Sequence, residues 1–372
     1  MSQRLINSGF SNLQQGPNAP NLGMTDRERW QLRGPVRSCR LERRWYSRRC
    51  GADTCDTEER GDATTVDFRP DGNLSRRSHQ NPDGSEWIST YEYDDRGRLT
   101  QMRTEPAGGV AKLRFYEYDN AGRLLRVFAR NRDGDHTVET YEYDPSGRKS
   151  KTLHVDVAAQ RTDTQYAWRV GGTDSAYSVP GTASLTTIYD NRGQPAQLLF
   201  RDLAGRELGR VEFRYDDAGR LMEEAQTRSE EVLPPEMLAS LNPAQLHTVR
   251  GFCGAGGDSI RRTHAYDEQG RRVETRSNIG PLGFDRKTVT YNEHGDPLVE
   301  VHEHEERDYA IDEEGRIADS PTRANARRSE ARFRYDYDSQ GNWVSKTVEG
   351  RPGSQDEFSL SAVERRIIAY FA

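Results

Sequence analysis

Cysteine and long apolar segments are scarce in this sequence of 372 residues. Its four cysteines, Cys39, Cys50, Cys55 and Cys253, are too few for a disulfide framework. We expect free thiols in a cytosolic protein, or a Cys50–Cys55 loop disulfide if the chain is exported. No run approaches the roughly 20 apolar residues of a transmembrane helix, and residues 1–23 lack the core of a secretory signal. The default expectation is therefore a cytoplasmic protein, with export by another route left open.

Excess charge of either sign is also lacking. The 54 basic residues nearly balance 60 acidic ones, which leaves a formal net charge of −6. This balance gives no electrostatic basis for binding nucleic acid, so we predict no nucleic-acid partner. Hydrophobic residues make up only 33% of the chain, yet aromatic residues recur at regular positions. This pattern favours a thin, well-solvated β structure over a disordered chain.

Motifs for catalysis and nucleotide binding are missing as well. The sequence contains no Gly-x-Ser-x-Gly elbow and no His-Glu-x-x-His zinc motif. The glycine-rich stretch Gly251–Gly257 lacks the Lys-Ser/Thr ending of a phosphate-binding loop, which indicates a flexible loop. We therefore predict no catalytic residue, no cofactor and no metal.

A nine-residue motif is present instead, and it recurs at a fixed period. The chain reads Tyr-Glu-Tyr-Asp-Asp-Arg-Gly-Arg-Leu from Tyr91 to Leu99, and related copies begin at Tyr116 and Tyr141. The second tyrosines of these copies stand 25 residues apart, at Tyr93, Tyr118 and Tyr143. A period in this range is typical of a repeat architecture, so it determines the predicted fold.

Each motif contains Asp or Asn three residues before Gly, a spacing typical of a type I turn. Asp at the first turn position caps backbone N–H groups, and the glycine can take the left-handed conformation that closes a hairpin. The predicted turns are Asn81/Gly84, Asp94/Gly97, Asp119/Gly122, Asn131/Gly134, Asp144/Gly147, Asp190/Gly193, Asp202/Gly205, Asp216/Gly219, Asp267/Gly270, Asn292/Gly295, Asp312/Gly315 and Asp338/Gly341. We interpret the aspartates as turn residues rather than as catalytic acids.

The turn spacing predicts an all-β fold. The glycines at 72, 84, 97, 109, 122, 134 and 147 are 12 or 13 residues apart, which leaves about eight residues for a strand. Each period is then two strands of a long antiparallel meander. Since apolar groups lie on both faces of some strands, the sheet must curl into a spiral, a shell or a partly closed form.

The two tyrosines of each motif are predicted to share one face of the sheet, because side chains alternate along a strand. They would form a ladder that is either buried core or an exposed contact surface. The residues concerned are Tyr91, Tyr93, Tyr116, Tyr118, Tyr141 and Tyr143.

The period doubles twice, between Tyr143 and Tyr189 and between Tyr215 and Tyr266. The second interval contains Pro-Pro-Glu and helical apolar spacing, which predict a short helical and glycine-rich insertion at 232–258. The polar segment Arg316–Glu330 is predicted to be a mobile loop.

These observations divide the chain into four predicted regions. They are a disordered lead-in (1–30), N-terminal strands with a cysteine loop (31–65), the repeat array (66–345) and a C-terminal closing strand (346–372). Met24 is an alternative start to Met1.

The repeated Tyr-x-Tyr-Asp-x-x-Gly-Arg-Leu motif resembles the YD repeat of bacterial Rhs proteins and of teneurin-type shells. The resemblance covers roughly residues 66–345. It implies a β-sheet strip that winds into a shell, which in some relatives encloses a toxin domain. Nothing toxin-like follows Tyr337, so the chain looks like a short stand-alone member and toxin encapsulation is not carried over.

The most metal-like cluster is His302-Glu303-His304-Glu305-Glu306. On a strand, His302 and His304 would share a face, and neutral imidazoles suit zinc or copper. No third ligand follows at a recognisable spacing, so a solvated polar strand is the preferred interpretation.

Taken together, the sequence predicts a non-catalytic repeat protein that acts as a scaffold, shell or binding surface. Its partner would be an unidentified protein or glycan. The first alternative is a carbohydrate- or cell-surface-binding module that uses the tyrosine ladder. The second is a small metal-dependent hydrolase around His302 and His304.

Overall fold

The computed structural model describes residues 24–50, 55–131, 134–154, 168–169, 176–177, 179, 182–228, 260–278, 283–311 and 317–372. Most of the predicted lead-in, the insertion 232–258 with Cys253, and the predicted turn at Asp312 lie outside these ranges.

The described residues form strands joined by tight turns, with one short helix, α1 (Asp26–Arg29). The strands are β1 (Val36–Cys50), β2 (Cys55–Phe68), β3 (Leu74–Gln80), β4 (Glu86–Tyr93), β5 (Leu99–Pro106), β6 (Lys112–Tyr118), β7 (Leu124–Asn131), β8 (Gly134–Tyr143), β9 (Lys149–His154), β10 (Trp168–Arg169), β11 (Ala176–Tyr177), β12 (Ser184–Tyr189), β13 (Pro195–Arg201), β14 (Glu207–Tyr215), β15 (Leu221–Arg228), β16 (Ile260–Tyr266), β17 (Arg272–Asn278), β18 (Gly283–Tyr291), β19 (Pro297–Ile311), β20 (Ile317–Tyr337), β21 (Trp343–Arg351) and β22 (Ser359–Tyr370). The predicted all-β class is confirmed. None of the described helices is long and apolar enough to cross a membrane.

The chain divides into two compact units. Unit 1 comprises Met1–Val138, Ala331–Arg351 and Glu357–Ala372, and unit 2 comprises Glu139–Glu330 and Pro352–Asp356. In unit 1 the antiparallel ladder runs β21–β22–β1–β2–β3–β4–β5–β6–β7. In unit 2 it runs β8–β9–β12–β13–β14–β15–β16–β17–β18–β19–β20, although residues 134–138 of β8 and 331–337 of β20 belong to unit 1. The predicted meander is therefore present in both units.

The hairpin between β4 and β5 shows how the motif fixes the register. Tyr91 pairs with Met102, and the register shifts between Glu92 and Tyr93 so that Tyr93 pairs with Leu99. A one-residue bulge beside a type I turn produces this shift, because the turn glycine adopts a left-handed conformation. Equivalent shifts beside the turns occur in the hairpins β2–β3, β6–β7, β8–β9, β12–β13, β14–β15, β16–β17 and β18–β19.

Strand lengths agree with the predicted eight residues in much of the array, but four strands are much longer. They are β1 and β19 with 15 residues, β2 with 14 and β20 with 21. The prediction of a mobile loop at Arg316–Glu330 is wrong for residues 317–330, which belong to β20. The segment is polar because this strand has few apolar side chains, and the polar composition did not indicate a loop.

Helix α1 corrects the N-terminal boundary. A Thr25 capping box with Glu28 starts the helix, and the Asp26 carboxylate accepts a 2.9 Å hydrogen bond from the Leu74 amide. Burial raises the pKa of Asp26. Trp30 and Leu32 are only 4% and 5% exposed. The predicted disordered lead-in therefore does not extend to residue 30, because residues from Thr25 onward pack on the sheet.

Each unit has its own apolar core on one face of its strands. In unit 1 this core comprises Trp30, Leu32, Val36, Cys39, Leu41, Val66, Phe68, Leu74, Tyr91 and Trp343. In unit 2 it comprises Val179, Leu185, Leu198, Phe200, Leu208, Val211, Phe213 and Leu221.

Strands β1 and β22, the first and last strands that the structure describes, pair with each other in unit 1. Strand β22 is antiparallel to β1, with Leu41 opposite Arg366 and Cys39 opposite Ile368. Cys39 is a fully buried free thiol, and burial raises its pKa to about 11. Strand β1 is therefore paired on both edges, with β2 on one and β22 on the other.

Candidate functional site

The repeated turns are built around the aspartate of the motif. In the turn after β4, Asp94 Oδ1 accepts hydrogen bonds from the amides of Arg96 and Arg98 at 3.0 and 2.9 Å. Asp94 Oδ2 accepts a 2.7 Å bond from the Arg98 guanidinium. Gly97 has a φ of +75°, the left-handed conformation that the turn requires. The carboxylate is thus fully engaged in the turn.

Hydrogen bonds within the turn lower the pKa of Asp94 and of Asp144. For Asp94 the largest cause is the bond from the Arg98 side chain, followed by the bond from its amide. For Asp144 it is the bond from the Ser146 hydroxyl, and the pKa falls to about 2. A carboxylate held ionised in this way is a poor general base near neutral pH. The geometry therefore agrees with the interpretation of these aspartates as turn residues.

The second tyrosine of a motif can bind the preceding turn, as Tyr118 does. The Arg98 guanidinium carbon lies 4.8 Å from the ring centroid of Tyr118. The Tyr118 hydroxyl donates a 2.9 Å hydrogen bond to the Leu99 carbonyl. In this arrangement an arginine lies over the tyrosine ring, and the tyrosine hydroxyl bonds to the carbonyl two residues after the turn glycine. We call it the turn clamp.

The turn clamp recurs in both units. Its hydrogen bonds are Tyr93 to Leu74, Tyr118 to Leu99, Tyr189 to Lys149, Tyr215 to Pro195, Tyr266 to Leu221 and Tyr291 to Arg272, all between 2.7 and 2.9 Å. In five of these six an arginine lies over the ring, the exception being Tyr215, where Gln194 occupies the arginine position. The clamp persists across both doubled periods, because β9 pairs directly with β12 and β15 with β16.

The first tyrosine of each pair belongs to the buried face. Tyr91, Tyr116 and Tyr141 are 7%, 8% and 6% exposed, and burial raises the pKa of Tyr91 to about 12. Their partners Tyr93, Tyr118 and Tyr143 are half-buried. The contact surface predicted from these six residues stays a prediction, in which at most the second tyrosine of each pair is within reach of a partner.

The two histidines of the metal-like cluster lie on β19 and face carboxylates. His304 Nδ1 is 2.7 Å from Asp285 Oδ1, and His302 Nε2 is 3.8 Å from Glu300 Oε2. Lys287 also contacts Glu300, at 2.9 Å. Within the ranges that the structure describes, no group of three or more His, Cys, Asp or Glu residues could hold a metal ion.

Unit 2 contains a buried polar cluster that the sequence did not predict. His264 Nε2 lies 2.8 Å from Glu224 Oε1, and its Nδ1 lies 3.1 Å from the Thr275 hydroxyl. Arg262 donates to the other Glu224 oxygen at 3.1 Å and to Ser277 at 3.0 Å. The side chains of His264 and Glu224 are 0% and 3% exposed, so the cluster is closed to a substrate.

Unit 1 contains a similar cluster, which borders a cavity. Arg43 forms a bidentate salt bridge with Asp62, at 2.8 and 2.7 Å, and His79 Nδ1 lies 2.8 Å from the Thr64 hydroxyl. The cavity has a volume of about 270 Å³, and we call it the tryptophan cavity. Its lining residues are Trp30, Leu41, Arg43, Thr64, Arg77, His79, Asn81 and Trp87.

One sequence signal for this cluster was available. Leu41, Arg43 and Trp45 are two residues apart along β1, so their side chains lie on the same face of the strand. Since that face is apolar at Leu41 and Trp45, Arg43 is a charged residue where an apolar one is expected. A charge at such a position requires a buried partner. The partner Asp62 is on the next strand, and no local pattern identifies it before the register is known.

Comparison with known proteins identifies the repeat. Residues 70–110 match the family model described as RHS Repeat. This match agrees with the resemblance of the motif to the YD repeat, and it covers the hairpin β4–β5. The antiparallel meander shows that the chain is an all-β protein. No curated protein matches the sequence significantly.

Solved structures give distant likenesses. A crystal structure of TcdB2-TccC3-Cdc42 is 12% identical with a TM-score of 0.25, and a Photorhabdus luminescens Tc holotoxin pore with a mutated TccC3 is 13% identical with a TM-score of 0.23. Each alignment covers 85% of this chain but 18% of the toxin chain. A porin-like protein from Bacteroides uniformis is 10% identical with a TM-score of 0.31, and 91% of this chain aligns with 98% of that one. At these TM-scores the likenesses support no conclusion about function.

Proposed function

We propose that this chain is a non-catalytic RHS-type scaffold, in which the residues of the YD motif serve the sheet rather than a ligand. The observation that carries the proposal is the turn clamp. It engages the aspartate, the arginine and the second tyrosine of the motif in contacts within the sheet. Residues used in this way fix the spacing and the order of successive hairpins.

The clamp supports a scaffold because it acts between hairpins, not within one. Tyr291 Oη donates to the Arg272 carbonyl at 2.7 Å, and Arg271 lies 5.1 Å from the same ring. Each hairpin therefore binds the turn before it, in addition to the ladder hydrogen bonds between strands. Repetition of this contact yields a sheet with a regular edge, which is suited to carrying or enclosing a protein partner.

The test is a comparison of stability with glycan binding. Tyr266→Phe and Tyr291→Phe each remove one clamp hydrogen bond and should lower the free energy of unfolding by about 1 kcal/mol. Tyr46→Phe is the matched control, because Tyr46 donates no hydrogen bond to any described residue. Neither clamp variant should change the pattern of a glycan array.

The opposite pattern would contradict the scaffold proposal. A glycan signal that disappears in Tyr291→Phe, with an unchanged unfolding midpoint, would indicate that the tyrosine ladder is a carbohydrate-binding surface.

A further inference from the structure

The tryptophan cavity in unit 1 has the features of a ligand site, and the scaffold function does not use it. Its floor is formed by buried residues, including Arg43 and Arg77 at 5% exposure each. Its rim is formed by the half-buried residues His79, Asn81 and Trp87. A volume of about 270 Å³ lies near the lower end of small-molecule pockets. The cavity can therefore hold a compact ligand that enters past the rim.

The charges around the cavity favour an anion. Two guanidinium groups line it, and the nearby carboxylate of Asp62 forms a bidentate salt bridge with one of them, Arg43. Burial lowers the pKa of Arg77, and the positive charge of Arg43 lowers it further. A ligand carboxylate beside Arg77 would offset both effects, since guanidinium and carboxylate groups match in charge and geometry.

The remaining lining favours a ring with hydroxyl groups over a bare inorganic anion. The Trp87 indole lies 5.0 Å from the Arg77 guanidinium carbon and 5.5 Å from the His79 ring, so aromatic surface borders the charged group. Thr64, His79 and Asn81 add polar groups around the same space. Thr64 and His79 bond to each other at 2.8 Å and Asn81 Nδ2 donates to Ser85 at 2.8 Å, so a ligand would use their remaining donor and acceptor positions. Aromatic walls with a few polar groups are typical of sites that orient a small organic ligand.

We propose that the tryptophan cavity binds a small sugar acid. The carboxylate pairs with Arg77, the hydroxyl groups bond to Thr64, His79 and Asn81, and the ring lies against the indoles. The proposal does not depend on the tyrosine ladder. If the turn-clamp variants contradicted the scaffold function, the sugar-acid site would be unaffected. If no sugar acid bound, the scaffold function would be unaffected.

Calorimetric titration of the full chain tests the ligand class. The probes are sodium D-glucuronate, D-glucose as the uncharged ring, and sodium phosphate as the charge without the ring. Glucuronate should bind at least about tenfold more tightly than either of the others. Absence of glucuronate binding at millimolar concentration would overturn the proposal, as would equal affinity for glucose or for phosphate.

Variants then locate the site. Arg77→Lys keeps the charge but loses the bidentate geometry and should weaken glucuronate binding about tenfold or more. The matched control is Arg103→Lys at an exposed position of β5, which should bind as the wild type does. If Arg77→Lys does not fold, the rim variants Asn81→Ala and Trp87→Phe decide. Unchanged affinity in both rim variants would place any binding outside this cavity and overturn the proposal.

Discussion

The guanidinium of Arg98 lies 4.8 Å from the ring centroid of Tyr118, and these two residues belong to successive hairpins of unit 1. Arg98 is also bound to Asp94 in its own turn. One arginine therefore closes its turn and holds the tyrosine of the next hairpin. The YD motif is in this sense a single structural device whose parts act on two neighbouring turns.

A double-mutant cycle measures this contact. Arg98→Met and Tyr118→Leu should show a coupling free energy of about 0.5–1 kcal/mol in urea unfolding, the size of a cation–π contact at a partly exposed site. The cycle of Arg98→Met with Tyr46→Leu, a tyrosine on β1, should show coupling close to zero. Equal coupling in the two cycles would mean that the Arg98–Tyr118 contact does not stabilise the fold.

Gly122 is predicted to be intolerant of a β-branched residue. Its φ is +84°, and a Cβ there would meet only Arg98 Nη1, at 3.6 Å, an ordinary contact. Gly122→Val should therefore destabilise through backbone strain, by about 1 kcal/mol or more, and Gly122→Asn by clearly less. Thermal unfolding of both variants distinguishes strain from a clash. Equal losses would show that the left-handed conformation is not what the turn requires.

The turn aspartates should make stability depend on pH in acid. The folded-state pKa of Asp144 is lowered from 3.8 to about 2. Its contribution to stability is complete above the unfolded-state pKa and is lost as the pH falls through the folded-state value. The stability difference between wild type and Asp144→Asn should therefore shrink as the pH falls from about 4 to about 2. Ser146→Ala removes the hydrogen bond that lowers the pKa of Asp144 most, so the folded-state pKa should rise towards 3.8. The pH interval over which the stability difference shrinks should then become narrower, as urea unfolding at several pH values can show. If the stability difference between wild type and Asp144→Asn stayed constant with pH, the pKa of Asp144 would not be lowered in the folded state.

A buried and an exposed salt bridge of the β1 arginines should differ sharply in their contribution to the free energy of unfolding. The side chains of Arg43 and Asp62 are 6% and 7% exposed, whereas those of Arg40 and Glu42 are 44% and 39% exposed. Asp62→Ala leaves a buried guanidinium without its bidentate partner and should cost about 3 kcal/mol. Glu42→Ala should cost less than about 1 kcal/mol, because water screens the exposed pair. Similar losses in denaturant unfolding would mean that the Arg43–Asp62 pair is solvated in solution.

Local spacing was sufficient to predict the hairpins. Asp and Gly at a separation of three residues specify a turn through the conformations that those two residues permit, so Asp94 and Gly97 required no knowledge of distant contacts. The same local reasoning failed at α1, since a helix of four residues has no periodicity to detect. It also failed at residues 317–330, where a strand carries few apolar side chains.

The candidate sites were harder to predict because their parts are distant in sequence. Tyr189 clamps Lys149 across 40 residues, and Glu224 meets His264 across 40 residues as well. Their proximity follows from the strand order, in which β9 pairs with β12 and β15 with β16.

The amino-acid order thus specifies the class of fold, the turn positions and the parity of each strand, because these depend on backbone preferences within a few residues. The tertiary structure decides which face of each strand is buried and which side chains contact each other. It places Tyr91 in the core and Tyr118 on a neighbouring turn, and it brings Arg43 to Asp62 beside the tryptophan cavity. Burial and charge pairing across strands are sums over residues far apart in the chain, so they become defined when the register of the sheet is set.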